Sequence, residues 1–140
     1  VAQVIAGIME YRNNNMFGLT AFTAYGLFWM TLVALLVLPK LGLAEPASQS
    51  AMAAYLLIWG MFTALMSVSA ARLNKALLTV FVTLTILFVL LAIGVYNPLV
   101  HTIAGYEGII CGFTAIYTGF ADITNDVYGR TVIPIWPIKK

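Results

Sequence analysis

Several side chains in one apolar stretch of the chain carry groups that can bind a small polar solute. The stretch "FGLTAFTAYG", residues 17–26, contains Thr20, Thr23 and Tyr25, and Trp29 follows Tyr25 by about one helical turn. A phenol or hydroxyl deep in an apolar helix needs a hydrogen-bond partner. A neighbouring helix can supply that partner, in which case the residue belongs to the packing. A solute in a narrow wet passage can supply it as well, and both interpretations stay open.

The remaining reactive side chains form no enzyme motif. Glu10 and Glu107 each lie near an end of an apolar segment, where a solvated carboxylate is the commoner case and proton transfer is the alternative. Cys111 is the single cysteine, so the chain has no internal disulfide. The sequence contains no Ser-His-Asp set, no cluster of metal-ligating residues and no glycine-rich phosphate loop. We therefore predict no catalysis, no metal and no cofactor.

The composition indicates a membrane protein. Of its 140 residues, 62% are hydrophobic and 9% are charged, whereas a soluble domain carries about 25% charged residues. A soluble chain of this size cannot hide so much apolar surface, so we predict that it lies in a lipid bilayer. The net charge of +2 is small and its charges are scattered, which argues against a nucleic-acid interface.

The apolar segments that are long enough to span a bilayer are residues 17–38, 51–71, 76–95 and 103–123. Each has about 20 residues, which is the length that crosses a hydrocarbon core about 30 Å thick. Residues 124–140 form a tail. Residues 1–9 are apolar but too short to cross, and we interpret them as the second half of a helix that begins before the given sequence.

These segments predict an all-α integral membrane protein, a single transmembrane domain built as a polytopic helix bundle. Four full spans and a partial one are visible, and we expect six helices in each subunit of the intact protein. The distribution of basic residues sets the orientation, because cytoplasmic loops carry the excess of lysine and arginine. One side receives Arg12, Arg72, Lys75, Arg130, Lys139 and Lys140, and the other receives Lys40 alone. The C-terminus is therefore expected in the cytoplasm, below a plasma (inner) membrane.

Small residues recur at helical spacing in two of the segments. They include Gly60 and Ala64 in the second segment and Gly108, Gly112 and Gly119 in the last, in steps of three or four or their sums. Small residues let two helix backbones approach closely in lipid, and we interpret these positions as packing contacts. The alternative is that the gap they leave is a solute path.

Four stretches of the chain, in order, resemble a known family. They are "AGIMEYRNNNMFGLTAFTAYGLFWMTLVALLVLPKLGL" from residue 6, "LLAIG" from residue 90, "AGYEGIICGFTAIY" from residue 104 and "GRTVIPI" from residue 129. They are similar to the acetate uptake transporters, the succinate–acetate permease family. The resemblance implies a six-helix subunit that assembles as a homohexamer, each subunit having its own path for acetate and related small carboxylates. It also implies a preceding segment, because the family's Asn-Pro-Ala-Pro-Leu-Gly-Leu signature has no counterpart in this sequence.

The resemblance further implies roles for individual residues. Tyr25 and Leu84 align with two members of a hydrophobic constriction. Gln3 aligns with a polar position that lines the path, and Ala115 with a small residue tied to substrate size. Further candidates for the path are Thr20, Thr23, Trp29 and Thr83.

Two residues depart from the family pattern. Glu107 stands where the resemblance leads us to expect an apolar residue, and Phe113 replaces a smaller one. Either change can alter selectivity, so succinate use is less secure than acetate use.

The physics of carboxylate transfer limits the mechanism. A carboxylate that crosses lipid loses its water, and an unpaired charge in a dry medium is costly. Because no lysine or arginine lies in the middle of a span, the acid crosses protonated, or the anion is held weakly by hydroxyls, amides and helix ends. We predict a transporter or channel for acetate and related small monocarboxylates, with succinate as a second candidate substrate and protons as candidate co-substrates. The alternatives are a channel for small neutral solutes such as urea or water, and a non-transporting membrane subunit.

Overall fold

The computed structural model describes residues 1–138, and most of them are helical. The helices are α1 (Ala2–Arg12), α2 (Met16–Val37), α3 (Gln49–Ala70), α4 (Lys75–Gly94) and α5 (Pro98–Tyr128), and a 3-10 turn covers Pro39–Leu41. The chain divides into two compact units, Val1–Ser48 and Gln49–Lys140. Lys139 and Lys140, which belong to the predicted cytoplasmic tail, lie outside the described residues.

The distribution of side-chain sizes fits helices that lie in lipid. Helices α2 to α5 are each long and apolar enough to cross a membrane. Many buried positions hold alanine, as at Ala70, Ala104 and Ala121, whereas large side chains such as Leu57 and Ile58 are exposed. A soluble protein buries its large apolar side chains instead. Small residues between helices and large apolar residues toward lipid are the pattern of membrane helices, so the predicted all-α membrane fold is confirmed.

The first unit is a helical hairpin of α1 and α2. Its turn contains Asn14 in the left-handed region, with φ of 55°, a conformation that asparagine tolerates better than most residues. Asn15 caps α2, because its Oδ1 accepts a hydrogen bond of 3.0 Å from the Gly18 backbone N–H. The Nδ2 of Asn15 also donates to Glu10 Oε2 at 2.7 Å. One side chain therefore starts α2 and ties it to the end of α1.

Two glycines bring the backbones of α1 and α2 into close contact. A Cβ atom added at Gly7 would overlap Thr23 Oγ1 and lie 2.7 Å from the Thr23 backbone nitrogen. A Cβ atom added at Gly26 would lie 2.9 Å from the Val4 backbone nitrogen. Backbone atoms cannot move aside as a flexible side chain can. The hairpin therefore requires residues without a side chain at these two positions.

The second unit contains α3, α4 and α5, in which α4 packs against both neighbours. Gly60 of α3 faces Phe88 of α4, whose Cβ would lie 3.2 Å from an added Cβ atom. Gly94 of α4 lies against His101, whose Cα would be 2.9 Å from an added Cβ atom. Between α4 and α5, an added Cβ atom at Gly108 would lie 3.4 Å from Leu87 Cδ1. Small residues thus lie at both helix contacts of this unit.

The other predicted packing positions lie elsewhere on their helices. Ala64 is half-buried in α3. A Cβ atom added at Gly112 or Gly119 of α5 would have no neighbour within 4 Å among the described residues. A packing role for Gly112 and Gly119 therefore stays a prediction.

Helix α5 extends beyond the predicted span of residues 103–123 in both directions. It begins at Pro98, where the Asn97 side chain accepts hydrogen bonds from the backbone N–H groups of Leu99 and Val100. Asparagine before proline is a helix start, since proline at the first helical position needs no N–H partner. The helix ends at Gly129, which has φ of 60° and adopts this left-handed conformation without a Cβ penalty. Residues 124–128, predicted to be tail, are therefore helical.

The segment after α5 folds back and is held by two α5 side chains. Asn125 Nδ2 donates to the Ile133 carbonyl at 2.8 Å, and its Oδ1 accepts from the N–H groups of Val132 and Ile133 at 2.7 and 3.0 Å. The Tyr117 hydroxyl donates to the Pro134 carbonyl at 2.6 Å, and its ring stacks on Trp136. These contacts fix a chain segment that has no regular helix of its own.

Replacing Asn125 with alanine is expected to release this segment while leaving the helices folded. Each lost hydrogen bond contributes about 1 kcal/mol net, so amide exchange at Val132 and Ile133 should accelerate by roughly ten- to a hundredfold. Hydrogen exchange read by mass spectrometry measures this change. Asn125→Asp keeps the two accepted bonds, so its exchange rate should lie between those of the wild type and Asn125→Ala. Asn13→Ala, a matched change in the first hairpin, should leave the segment as protected as in the wild type. Unchanged exchange in Asn125→Ala would contradict this assignment.

Candidate functional site

Three of the candidate path residues lie in the α1/α2 hairpin of the first unit. Tyr25 is buried in α2, with 7% of its surface exposed. Gln3 of α1 is half-buried, and its carbonyl carbon would lie 3.4 Å from a Cβ atom added at Gly26, the residue after Tyr25. Thr23 lies one turn away, against Gly7. Gln3 and Thr23 therefore lie at the contact with the partner helix of the hairpin, whereas Tyr25, two residues after Thr23, points to a different side of α2.

The other two candidates on α2 point away from this contact. Trp29 is 56% exposed and meets the neighbouring Phe28 ring edge-on, with 5.1 Å between ring centroids. Thr20 is exposed, and its hydroxyl donates to the Met16 carbonyl at 2.8 Å. That bond is the usual way in which a threonine satisfies itself inside a membrane helix.

Thr23 differs from the other candidate threonines. Its Oγ1 is buried and has no hydrogen-bond partner among residues 1–138. The close approach of Gly7 surrounds this hydroxyl with backbone from α1. A buried hydroxyl without a partner is costly, so Thr23 offers both a donor and an acceptor to a solute or water that reaches it.

The candidate residues of α4 lie in the second unit. Leu84 is half-buried. Thr83 is half-buried too, and its hydroxyl donates to the carbonyls of Thr79 and Val80 at 2.9 and 3.0 Å. The thiol of Cys111 on α5 donates to the same Val80 carbonyl, with 3.9 Å between sulfur and oxygen. Because Tyr25 and Leu84 belong to different units, the constriction that they are predicted to share stays a prediction.

A groove of about 450 Å³ opens between α4 and α5 beneath the folded-back segment. Thr79, Thr114 and Thr118 supply hydroxyls to its wall, and Phe113 and Trp136 supply aromatic surface. Ala115, the predicted determinant of substrate size, is exposed on α5 next to the groove residue Thr114. Sequence reasoning missed the groove, because only the fold shows that Trp136 returns to cover α4. The one sequence feature that indicates the groove is the pair Thr114 and Thr118, which lie four residues apart and therefore share a helix face.

The polar groups of the candidate path residues are hydroxyls, one amide and one indole N–H, with no cation among them. Helices α2, α3 and α5 contain no lysine or arginine, and α4 has only Lys75, its first residue. No group of three metal-ligating side chains exists among residues 1–138. Such surroundings bind a small solute weakly, which suits passage because a conducted solute must also leave.

Comparisons with known proteins identify one family profile, two related proteins and one solved structure that are similar to this chain. The GPR1/FUN34/yaaH family profile matches residues 1–140. The succinate-acetate/proton symporter SatP of Escherichia coli strain K12 is 47% identical over 137 residues, which cover 96% of this chain and 73% of the relative. Acetate permease A of Emericella nidulans is 26% identical over 152 residues, covering 96% and 51%. The solved structure of the bacterial acetate channel SatP superimposes with a TM-score of 0.92 at 47% identity, covering 96% of this chain and 75% of that one.

Proposed function

Because this chain belongs to the GPR1/FUN34/yaaH family, we propose that it moves acetate and related small monocarboxylates across a membrane. Succinate is the second substrate of this proposal, and protons are the co-substrate. The observation that carries the proposal is the fold shared with a solved bacterial acetate channel over almost the whole chain. The curated relatives named as carboxylate transporters support it, and their activity is transport and not catalysis.

The site chemistry agrees with this assignment. A small carboxylic acid presents one hydroxyl and one carbonyl when it is protonated, and buried threonine, glutamine and tyrosine side chains can pair with both. The spans hold no fixed cation that would trap an anion. A path of this kind favours the neutral acid or a weakly held anion.

We assign the path to the residues predicted above. In this proposal Tyr25 and Leu84 narrow it, while Gln3, Thr23 and Thr83 offer hydrogen bonds along it. Each subunit of a homohexamer has its own path, and the C-terminus lies in the cytoplasm of a plasma (inner) membrane protein. Arg72 and Arg130, which fall on the same side of the predicted topology, support that orientation.

Uptake of labelled acetate into proteoliposomes tests the function. We expect uptake that saturates, is inhibited by unlabelled acetate and not by urea, and rises when the outside is made acidic. Collapsing the pH gradient with an ionophore separates proton-coupled transport from passive conduction. Inhibition by urea but not by acetate would favour a neutral-solute channel, and passage of no solute at all would favour a non-transporting subunit.

A further inference from the structure

Glu107 places a carboxyl group between α4 and α5. It lies nine residues after Pro98, about 14 Å along the helix at about 1.5 Å per residue. Its Oε2 atom is buried and has no hydrogen-bond partner among residues 1–138. Ionisable residues within membrane-spanning helices are costly and mark functional positions in membrane proteins. The Thr83 hydroxyl of α4 donates to backbone carbonyls instead, so this oxygen needs another explanation.

Contacts of α4 with α5 locate the carboxyl along the interface. The next residue, Gly108, lies against Leu87 of α4. One turn further along α5, the Cys111 thiol donates to the Val80 carbonyl of α4, with 3.9 Å between sulfur and oxygen. Glu107 therefore lies close to the level of Leu87, and Leu84, the candidate constriction residue, lies within about one turn of that level.

The surroundings provide no cation to balance a negative charge on Glu107. From Ala76 to Gly94, α4 contains no ionisable side chain. On α5 itself, the nearest titratable groups along the chain are Tyr106, Cys111 and His101, and His101 lies against Gly94 at the beginning of the helix. The segment that packs on the other end of α5 contributes only Arg130 among the described residues. An ionised carboxylate here thus has one buried oxygen and no cation beside it to compensate its charge.

A metal site does not explain the carboxyl either. Glu107 and Cys111 are two potential ligands one turn apart. A third His, Cys, Asp or Glu to complete such a group is absent among residues 1–138. A proton is the remaining cation that a single carboxyl binds by itself.

We propose that Glu107 is a proton-exchanging site beside the solute path, which makes the passage of small carboxylic acids depend on pH. The pH effect on passage rests on the proposed function, whereas the proton site itself rests on the structure around Glu107. A proton from water binds one carboxylate oxygen to form the neutral acid, and release returns it to water. Neutral Glu107 leaves the path uncharged, whereas ionised Glu107 repels a carboxylate that approaches the constriction.

The proton site itself is tested by infrared spectroscopy of the protein in lipid vesicles over a pH series. A protonated carboxyl in apolar surroundings gives a carbonyl stretch that ionised carboxylates lack. We expect one such band in the wild type that disappears as the pH rises, is missing in Glu107→Gln, and persists in Glu45→Gln, a matched change in an exposed loop. The S–H stretch of Cys111 should shift together with it, because Cys111 lies one helical turn after Glu107 on α5. A Glu107 band that does not titrate would overturn the proposal.

The effect on transport is tested by acetate uptake normalised to the concentration of the acetate anion, which is the species that ionised Glu107 repels. Two like charges about 12 Å apart, at an effective dielectric constant of about 20, repel by an energy equivalent to roughly tenfold in occupancy. Wild-type uptake should therefore fall roughly tenfold as Glu107 ionises, and Glu107→Gln should remove the fall. Glu107→Asp, which keeps the titratable group, should restore it.

The two measurements separate the failure of this inference from failure of the proposed function. If the wild type and Glu107→Gln show the same pH profile of uptake, the inference is wrong and the transport function stands. If no acetate enters at any pH, the transport function fails, and the infrared titration alone decides whether Glu107 exchanges a proton.

Discussion

Replacing Tyr25 with alanine is expected to raise uptake of succinate relative to acetate by roughly tenfold or more. A pocket that excludes a solute by size discriminates by about 1–3 kcal/mol for each methylene that does not fit, equivalent to roughly ten- to two-hundredfold. Tyr25 is buried, with 7% of its surface exposed, so its ring is held in place and can act as a rigid wall. Removing the ring widens the proposed constriction for the longer diacid more than for acetate.

Competition between labelled acetate and labelled succinate in proteoliposomes measures this ratio directly. Tyr25→Phe keeps the ring without the hydroxyl and should retain the selectivity of the wild type, if the ring is what excludes succinate. Phe22→Ala removes a ring of similar size from the same helix at a position that is 40% exposed, and it should leave the ratio unchanged. A Tyr25→Ala variant that folds and keeps the wild-type ratio would remove Tyr25 from the constriction.

The membrane fold could be predicted from the sequence because lipid imposes one requirement on every span. Backbone groups in hydrocarbon must be satisfied within the helix, so an uninterrupted apolar run of sufficient length has few alternatives. The residues at which a helix begins and ends are less strongly determined by the sequence. "YNPLVH" contains an Asn-Pro pair that indicates a break, yet in the structure the same pair caps and begins α5. Polar residues such as Asp126 end the apolar run, but the helix continues until Gly129 can adopt a left-handed conformation.

The face on which a small residue lies was harder to predict. Gly108 and Gly112 differ by four positions, a spacing that predicts one shared helix face. In the structure, Gly108 meets Leu87, whereas Gly112 meets no other side chain within the described part of the chain. The buried face of α5 instead follows Ala104, Cys111 and Thr118. A helix with small residues on several faces does not reveal which face a given neighbour covers.

The candidate threonines show the same limit at the level of single atoms. Thr20 and Thr83 donate to carbonyls of their own helix, as a general rule for membrane helices leads one to expect. Thr23 has a buried oxygen without a partner among residues 1–138, because a glycine of another helix lies against it. The residue type is identical in all three cases. The hydrogen bonding of these threonines differs because their neighbouring residues differ, and those neighbours are known only from the folded structure.

Replacing Gly7 with valine is expected to disrupt the hairpin of α1 and α2. Even the Cβ atom of alanine would overlap Thr23 and lie 2.7 Å from its backbone nitrogen, so the helices must separate. Overpacking of this kind costs about 1–3 kcal/mol and sometimes more, and valine adds two further methyl groups. Separation would also displace Thr23 and Gln3, so acetate uptake should fall together with stability.

Cys111 supplies a separate reference for the second unit, because it is the single cysteine of the sequence and is buried there. A dye that fluoresces when it labels a thiol reports the temperature at which the second unit unfolds, and loss of helical circular dichroism reports the whole chain. Gly7→Ala should lower the circular dichroism transition, and Gly7→Val should lower it further. Gly105→Ala is the matched control, since its added Cβ atom has no neighbour within 4 Å and alanine favours a helix by about 1 kcal/mol over glycine. If Gly7→Val melts at the wild-type temperature, the two helices do not meet at Gly7, and the placement of Thr23 and Gln3 beside the path fails with that contact.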